Sequence, residues 1–507
     1  MILGFTRAVG GRIAAKPPAM VLLISLILAS GCWRSASNGA GDRDGGLDTD
    51  IGTSTDTESG TDTWSEPEHL WSKGFPGEGS CMGYSVAVDP SNNVFITGFF
   101  EDTIDFGGGK LTGAGGMDVF VAKFSPDGEH LWSEGFGGEG EDYGTSVTTD
   151  SAGNAIVTGA FCGTVDFGGG PLSAGGDDIE SSDIFVVKLG PQGDHLWSRR
   201  YGDESSQSGM AIATDDLDNV LFAGDISGTV DFGGGEITST GSGRDAFVAK
   251  LDPQGDHVWS LGFEDQAWAR AVSIAADGAN NVIVGGVFTG GVDLGDGMSA
   301  SAGGRDGFVV ALDEAGSVLW SRVLGGGGEQ DYLRSLAAGE GGGVVVTGIF
   351  SGSVDFGGGP LTSEGITDDV YLAEYGADGE HDWSVARGNA DWGAVWSWGV
   401  AINGVGEIVL VGWYTGPGVD LGGGALPESE NWDMFVAKYG SGGDHHWSTM
   451  FGSIPHDLAS AVTTDGEDNI LITGYVEGPV DFGGGPLVVD DGPPIYERDV
   501  FLLKLSP

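Results

Sequence analysis

The sequence predicts an all-β fold, a seven-bladed β-propeller of four-stranded antiparallel blades. Three observations carry this prediction: one unit is repeated seven times, each unit holds four short apolar runs, and the two chain ends hold complementary parts of a unit. Such long, regular repeats are typical of propellers and arrays. The units are marked by Trp-Ser pairs at intervals of 61, 65, 62, 61, 63 and 64 residues, at Trp71, Trp132, Trp197, Trp259, Trp320, Trp383 and Trp447.

Each unit reads as four strands, a to d. In the first unit we expect strand a over residues 84–88, strand b over 94–100, strand c over 119–124 and strand d over 130–136. The turns between them are rich in Asp, Asn, Pro and Gly, which favour tight reversals. No unit shows a sustained 3.6-residue apolar period, so helices are not expected. Four antiparallel strands per unit are typical of a propeller blade.

The chain ends predict how the propeller closes. Residues 69–75 read as a strand d with no a to c before it, and residues 499–505 read as a strand c with no d after it. We therefore expect the N-terminal strand to complete the last blade, which is otherwise formed by residues 457–507. The propeller domain then covers residues 68–507 and has seven blades.

The charge of the chain limits its partners. The formal net charge is −54. Without residues 1–31 the chain has 18 basic and 75 acidic residues, which gives a net charge of −57. Such a field repels a polyanion, so nucleic acid is not expected as a partner. Acidity of this kind favours solubility outside the cell, and the alternative is cation binding. We expect a monomer.

Residues 1–31 are predicted to be a signal peptide. Arg7, Arg12 and Lys16 precede an apolar run and small residues that end at Cys32. The Ala-Ser-Gly-Cys ending resembles a bacterial lipobox, although Ala29 stands where Leu is usual. The resemblance implies a lipoprotein that is lipidated on Cys32 and, because Trp33 is not Asp, sorted to the outer membrane or cell surface. The alternative is an ordinary secreted protein.

Residues 32–67 are rich in Ser, Thr, Gly and Asp and contain few apolar residues. Such a composition cannot bury a core, so we expect a disordered segment. It would act as a flexible tether between the lipid and the propeller.

The repeated unit resembles the bacterial seven-bladed β-propeller repeat (SBBP-type) family. The order Ser-Val-Ala-x-Asp, then Asn-Val-x-x-Thr-Gly, then Asp-x-Phe-Val-x-Lys is present at residues 85–89, 93–98 and 118–123 and recurs through residues 69–507. The resemblance implies secreted or surface-anchored proteins that mostly lack an assigned activity. A fold of this kind does not by itself define a function.

Two sets of aspartates recur in every unit. One set precedes strand c, and the other begins the Gly-rich loop between strands b and c. Turn capping by carboxylates explains both sets. The alternative is one calcium ion per blade, because calcium is bound by several oxygens. The calcium candidates are Asp105, Asp166, Asp231, Asp293, Asp355, Asp420 and Asp481. No other cofactor is expected.

The remaining cysteines, Cys81 and Cys162, are predicted to lie on the same face of neighbouring blades. In an oxidising compartment they could form a disulfide, and the alternative is two thiols. Most histidines lie two residues before a repeat Trp and are interpreted as structural. The sequence contains no recognised catalytic motif, so it predicts no catalytic residue.

The sixth unit departs from the others by its aromatic residues, which are Trp392, Trp396, Trp398, Trp413, Tyr414 and Trp432. All are predicted to reach the face that carries the b–c and d–a connections. Trp268, Arg270 and Arg334 of the fourth and fifth units are expected on the same face. Aromatic rings beside carboxylates are suited to a carbohydrate or a peptide. The alternative is that these rings only fill a gap between blades.

The sequence therefore predicts a non-catalytic, lipid-anchored propeller of the cell envelope that binds a carbohydrate or protein ligand, or serves as a scaffold, through its loop face. One alternative is a carbohydrate-active or other hydrolytic enzyme with its site in the central funnel. The other is a purely structural surface protein.

Overall fold

The computed structural model describes residues 65–176, 181–240, 243–264, 267–328, 330–339, 341–364, 367–389, 393–452, 456–487 and 498–507. The chain divides into two compact units, Met1–Thr63 and Trp64–Pro507, and the described residues belong to the second. The signal peptide, Cys32 and nearly all of the tether lie outside them. No helix among the described residues is long and apolar enough to cross a bilayer.

The all-β prediction is confirmed for the described residues, which form four-stranded antiparallel sheets and contain no α-helix. Numbered by repeat, the first three sheets are built from these strands a to d. Sheet 1 contains Cys81–Val88, Val94–Phe100, Asp118–Phe124 and His130–Phe136. Sheet 2 contains Tyr143–Thr149, Ala155–Cys162, Ser182–Leu189 and His195–Tyr201. Sheet 3 contains Ser208–Thr214, Val220–Ile226, Asp245–Leu251 and His257–Phe263.

The later repeats form four further sheets of the same order. Sheet 4 contains Trp268–Ala276, Val282–Asp293, Met298–Leu312 and Val318–Leu324. Sheet 5 contains Tyr332–Ala338, Val344–Phe350, Asp369–Tyr375 and His381–Arg387. Sheet 6 contains Ala394–Ile402, Ile408–Gly416, Ser429–Tyr439 and His445–Phe451. Sheet 7 contains Asp457–Thr464, Ile470–Val476, Asp499–Leu505 and, from the other end of the chain, His69–Phe75.

Strands b and c form the core because they are the central strands of each sheet. Every residue of Val94–Phe100 and of Asp118–Phe124 is buried, as expected for strands covered on both faces. In the outer strand His130–Phe136, Trp132 and Phe136 are buried and the other residues are at least partly exposed. The hydroxyl of Thr97 is buried in strand b and donates a hydrogen bond to the Phe120 carbonyl at 2.7 Å.

The Gly-rich loop between strands b and c forms a short hairpin, as its glycines predict. In sheet 2 it is formed by Thr164–Asp166 and Pro171–Ser173. Its Gly-rich tip lies beneath a histidine of strand d, because a Cβ at Gly169 would lie 2.3 Å from Cε1 of His195. That ring in turn hydrogen-bonds Ser198 at 3.1 Å. The glycine run and the His-x-Trp-Ser motif therefore pack directly against each other.

The repeat tryptophans link neighbouring sheets. The indole N–H of Trp132 in sheet 1 donates to the Pro191 carbonyl in the c–d turn of sheet 2 at 3.0 Å. The ring covers Gly193 of that turn, where a Cβ would lie 3.1 Å from it. Trp71 makes the corresponding bond from sheet 7 to the Pro126 carbonyl of sheet 1 at 3.0 Å. Each such tryptophan thus depends on the adjacent repeat.

The strand that sheet 7 receives from the N-terminal end is held by main-chain pairing. Phe75 pairs with Val500, and His69 pairs with Leu505. Beyond the strand, the Ser506 N–H donates to the Glu68 carbonyl at 2.8 Å. The two ends of the second compact unit therefore lie side by side in one sheet.

Buried ion pairs connect strand c to the a–b turn. Lys188 Nζ lies 2.8 Å from an Asp150 carboxylate oxygen, and Lys250 Nζ lies 2.8 Å from Asp215. Both lysines are at most 5% exposed. The aspartate also accepts hydrogen bonds from its own turn, as Asp150 does from Asn154. The final Lys of the Asp-x-Phe-Val-x-Lys motif therefore neutralises the Asp that ends strand a.

Candidate functional site

Strand a of every sheet contains a β-bulge at the same position. In sheet 1, Gly83 pairs with Gly98 and Ser85 pairs with Thr97, so the residue between them has no pairing partner in strand b. β-Bulges re-aim side chains and are frequent at functional sites. The bulge residues are Tyr84, Thr145, Met210, Val272, Arg334, Trp398 and Ser460. The seven side chains are all different, whereas the surrounding motif is repeated.

Bulge residues reach toward the next sheet. The Thr145 hydroxyl of sheet 2 donates to the Gly209 carbonyl of sheet 3 at 2.8 Å. The Ser460 hydroxyl of sheet 7 donates to the Gly83 carbonyl of sheet 1 at 2.5 Å. The bulge therefore brings one variable side chain per repeat to the seam between neighbouring first strands.

In sheets 5 and 6 the bulge residues form a cationic and aromatic cluster. The guanidinium carbon of Arg334 lies 4.9 Å from the centre of the Tyr332 ring, 5.1 Å from Trp396 and 5.2 Å from Trp398. These distances are those of cation–π contacts. Arg334 Nε is fully buried and has no hydrogen-bond partner among the described residues. Burial lowers the pKa of Arg334 to about 10, so the group stays charged at neutral pH.

The cluster continues into sheet 4 through Arg305. Its guanidinium lies 5.6 Å from the Trp268 ring and 5.5 Å from the Tyr332 ring, and it donates a hydrogen bond to the Tyr332 hydroxyl. We call the set of contacting residues the arginine–aromatic array. It consists of Trp268, Arg270, Arg305, Tyr332, Arg334, Trp396 and Trp398.

One end of the arginine–aromatic array is neutralised. Arg270 lies 5.6 Å from the Trp268 ring and donates to the buried carboxylate of Asp225 at 2.6 Å. Arg244 donates to the other oxygen of the same carboxylate. Burial raises the pKa of Asp225, but the two arginines outweigh it and hold that pKa below the usual value. Arg270 therefore positions Trp268, and because its charge is neutralised by Asp225 it would contribute little to binding an anionic ligand.

The aromatic residues of sheet 6 stack side by side. The Trp396 and Trp413 rings lie 5.6 Å apart, and the Trp413 and Trp432 rings lie 4.7 Å apart, both pairs stacked. His456 meets Trp432 edge-on at 4.8 Å. Trp396, Trp413 and Trp432 form what we call the tryptophan stack. Since Trp396 also contacts Arg334, the stack and the array are continuous.

Other predicted site residues lie elsewhere. Tyr414 is fully buried in the hydrophobic core, and its hydroxyl donates to the Pro427 carbonyl at 2.8 Å, so it is not presented to a ligand. Trp392 lies outside the described residues. Arg305 and Tyr332 belong to the array although the sequence analysis did not select them. The variability at the bulge position was an available signal, but Tyr332 lies two residues before the bulge of its strand, and Arg305 lies on strand c of sheet 4.

The calcium candidates cap their own loops. Asp105 accepts the Gly107 and Gly109 N–H groups at 2.8 and 3.1 Å, and the same pair of bonds recurs at Asp231 and Asp481. Among the described residues, no group of three His, Cys, Asp or Glu side chains is placed to hold a metal. Calcium binding at this set stays a prediction.

The two cysteines of the predicted disulfide are both buried. Burial raises the pKa of the Cys162 thiol to about 12. The pairing of Cys81 with Cys162 stays a prediction.

Buried carboxyl groups lie where strands c and a begin. Asp142 accepts the Gly138 and Cys162 N–H groups at 2.8 and 2.9 Å. Burial nevertheless raises its pKa to about 7, and burial raises the pKa of nearby Asp118 to about 6. Desolvation of the charged form therefore outweighs the hydrogen bonds at both groups.

These raised pKa values predict a pH dependence of stability. A carboxyl group with a raised pKa in the folded state contributes stability below its unfolded pKa, and that stability is lost as pH rises through the folded value. We expect the melting temperature to fall between pH 5 and pH 8, and Asp142→Asn to reduce that fall. Scanning calorimetry at both pH values measures it, with exposed Asp231→Asn as the control. An unchanged fall in the Asp142 variant would contradict the assignment.

A cavity of about 470 Å³ lies at the a–b turns of sheets 1, 2, 3 and 7. Its lining includes Asp89, Asp150, Asp215, Asp218 and Thr464. The first three carboxylates already form buried ion pairs with lysines of strand c. The cavity is therefore acidic but largely neutralised.

No known family profile matches the chain. It is 24% identical over 449 residues to an uncharacterized WD repeat-containing protein of Acanthamoeba polyphaga mimivirus, a match that covers 70% of this chain and 32% of the relative. The chain thus spans about a third of that protein's length.

Two solved structures are similar over most of the chain. The WD40 domain of Pan2 from Neurospora crassa is 11% identical, with a TM-score of 0.39 and coverage of 87% of this chain and 98% of that one. A protein of unknown function from Dyadobacter fermentans is 10% identical, with a TM-score of 0.37 and coverage of 87% and 99%. The WD repeat relative supports a β-propeller repeat family for this chain. The SBBP-type family and the lipid anchor stay predictions.

Proposed function

We propose that the seven sheets are the blades of one closed propeller of the SBBP type. Two contacts across the chain ends support this proposal. The Ser460 hydroxyl of sheet 7 bonds the Gly83 carbonyl of sheet 1, and Trp71 of sheet 7 bonds the Pro126 carbonyl of sheet 1. In such a propeller the bulge residues of the first strands surround the central opening.

The function that we propose is a non-catalytic binding or scaffolding module that takes a protein partner at the arginine–aromatic array. The observation that carries this proposal is Arg334, a cation held by three aromatic rings and without a carboxylate partner among the described residues. Tyr, Trp and Arg are the residues enriched at the energetic centres of protein interfaces.

A second candidate ligand is a carbohydrate, favoured by the tryptophan stack. Trp396 and Trp432 are partly exposed, and Trp413 between them is 6% exposed with its Nε1 buried and without a hydrogen-bond partner among the described residues. Aromatic faces of this kind suit the apolar faces of sugar rings.

One assay separates the two candidates. The purified full-length protein is applied to an array of acetylated, amidated pentapeptides and, in parallel, to a glycan array. Binding to peptides supports a protein partner, and binding to glycans alone supports the carbohydrate. Failure to bind either array would contradict both proposals.

We place this module at the outer membrane or cell surface, anchored by lipid on Cys32. The lipobox-like ending before Cys32 supports the anchor. We expect the bacterial host to incorporate labelled palmitate into the protein, and Cys32→Ala to abolish that label and release the protein from the membrane fraction. Palmitate incorporation that survives in the variant would contradict the assignment, and secretion is then the alternative.

A further inference from the structure

We propose that the protein partner presents a carboxylate to Arg334, that is, an acidic side chain flanked by apolar or aromatic residues. This inference rests on the proposed function and specifies the chemistry of the peptide segment that the arginine–aromatic array would take.

The donors of Arg334 are available. No hydrogen bond joins any of its guanidinium nitrogens to a described residue, and only Nε is fully buried. The two terminal nitrogens are therefore the groups that remain open to a ligand. A guanidinium edge presents parallel N–H donors that match the two oxygens of a carboxylate.

Unpaired cations are rare in this acidic chain. Among the described residues, every Lys and all but three Arg lie within 4.0 Å of a carboxylate oxygen. The three exceptions are Arg305, Arg334 and Arg387. Two of them, Arg305 and Arg334, belong to the array and contact the same Tyr332 ring. The array is therefore a local concentration of uncompensated positive charge.

The charged groups near Arg334 do not neutralise its positive charge. Asp368 acts on it electrostatically but forms no ion pair with it. Burial raises the pKa of Asp368 to about 6. Arg270 and Arg305 add positive charge near Arg334, and Arg270 is already paired with Asp225. A carboxylate from outside the chain would supply the missing partner.

The rings beside Arg334 define what accompanies that carboxylate. Trp396 and Trp398 flank it on sheet 6, and Tyr332 lies on its own strand. Trp398 is the next bulge residue, and its Nε1 is buried without a hydrogen-bond partner among the described residues. Aromatic surface next to a guanidinium favours an acidic residue with apolar neighbours over a run of acidic residues, which the overall negative field would repel.

The test uses the pentapeptide array at physiological ionic strength with three forms of the full-length protein: wild type, Arg334→Met and Arg387→Met. Arg387 is the matched control, because it is also unpaired and lies 5.7 Å from an aromatic ring, Tyr439, but at the end of an outer strand. We expect peptides bound by the wild type to be enriched in Asp or Glu beside an apolar residue. We expect their affinity to fall about 10- to 100-fold in Arg334→Met and to be unchanged in Arg387→Met.

Each outcome is decisive. Peptides that bind without an acidic preference, or a preference that Arg334→Met leaves intact, overturn the inference and leave the proposed function standing. Binding restricted to phosphorylated peptides replaces the carboxylate by a phosphate. Absence of peptide binding overturns the proposed function itself. If Arg334→Met fails to fold, Arg334→Lys keeps the charge without the planar fork, and full affinity in that variant overturns the paired-donor geometry.

Discussion

Lys250→Met is expected to destabilise the protein by about 3–5 kcal/mol, because it leaves a buried carboxylate without its cation. Lys250 is 1% exposed, and its Nζ lies 2.8 Å from Asp215. Burial acts to raise the pKa of Asp215, but the hydrogen bonds from Lys250 and Asn219 lower it below the usual value. Denaturant unfolding, followed by tryptophan fluorescence, measures the loss.

Two variants make this test specific. Lys250→Met combined with Asp215→Asn removes both charges and is expected to recover part of the loss. Lys73→Met removes an exposed pair with Glu129, which is joined at 3.8 Å, and is expected to cost at most about 1 kcal/mol. Equal losses in Lys250→Met and Lys73→Met would show that the buried pair has no special weight.

Gly348→Ala is expected to destabilise sheet 5 by on the order of 3 kcal/mol. A Cβ at Gly348 would lie 1.7 Å from the Tyr332 carbonyl oxygen, and that atom belongs to the main chain of strand a. The strand would have to move away, and it is the strand whose bulge presents Arg334. Thermal unfolding measures the loss of stability, and the peptide array measures the accompanying loss of binding.

The control for Gly348 is Gly327→Ala. No atom lies within 4 Å of the position of its Cβ, and its backbone lies outside the left-handed region. We expect the control to melt within about 1 °C of the wild type, because it creates no contact. A Gly348→Ala variant that melts together with the control would mean that the bulge tolerates displacement.

Much of the fold could be predicted from the sequence because strands and turns are encoded by local residue patterns. The strand bounds predicted for residues 94–100 and 130–136 agree with Val94–Phe100 and His130–Phe136. Strand a begins three residues earlier than predicted, at Cys81, because its first half carries no alternating pattern and is held by pairing with strand b. The glycines of the b–c loop predict its hairpin tip, but the flanking strands, most of them two or three residues long, were too short to be predicted.

The candidate site could be predicted from the sequence only in part. The aromatic enrichment of sheet 6 selected Trp396, Trp413 and Trp432, which do stack. Tyr414 follows Trp413 directly, and alternation along a strand sends it to the opposite, buried face. The contact between Arg334 and Trp398 depends on a β-bulge in each of their two strands. The position of a bulge is set by how the strands pair and not by their composition, so the sequence did not predict this contact.

Because Phe75 pairs with Val500, sheet 7 is completed only after the intervening residues have been synthesised. Residues 69–75 are synthesised before their partner strand, since Phe75 and Val500 are 425 residues apart in the chain. Until then, residues 69–75 expose the open edge of a strand, a template for unwanted pairing with other chains. A chain that is truncated before residue 499 lacks this partner strand and keeps the edge of residues 69–75 open.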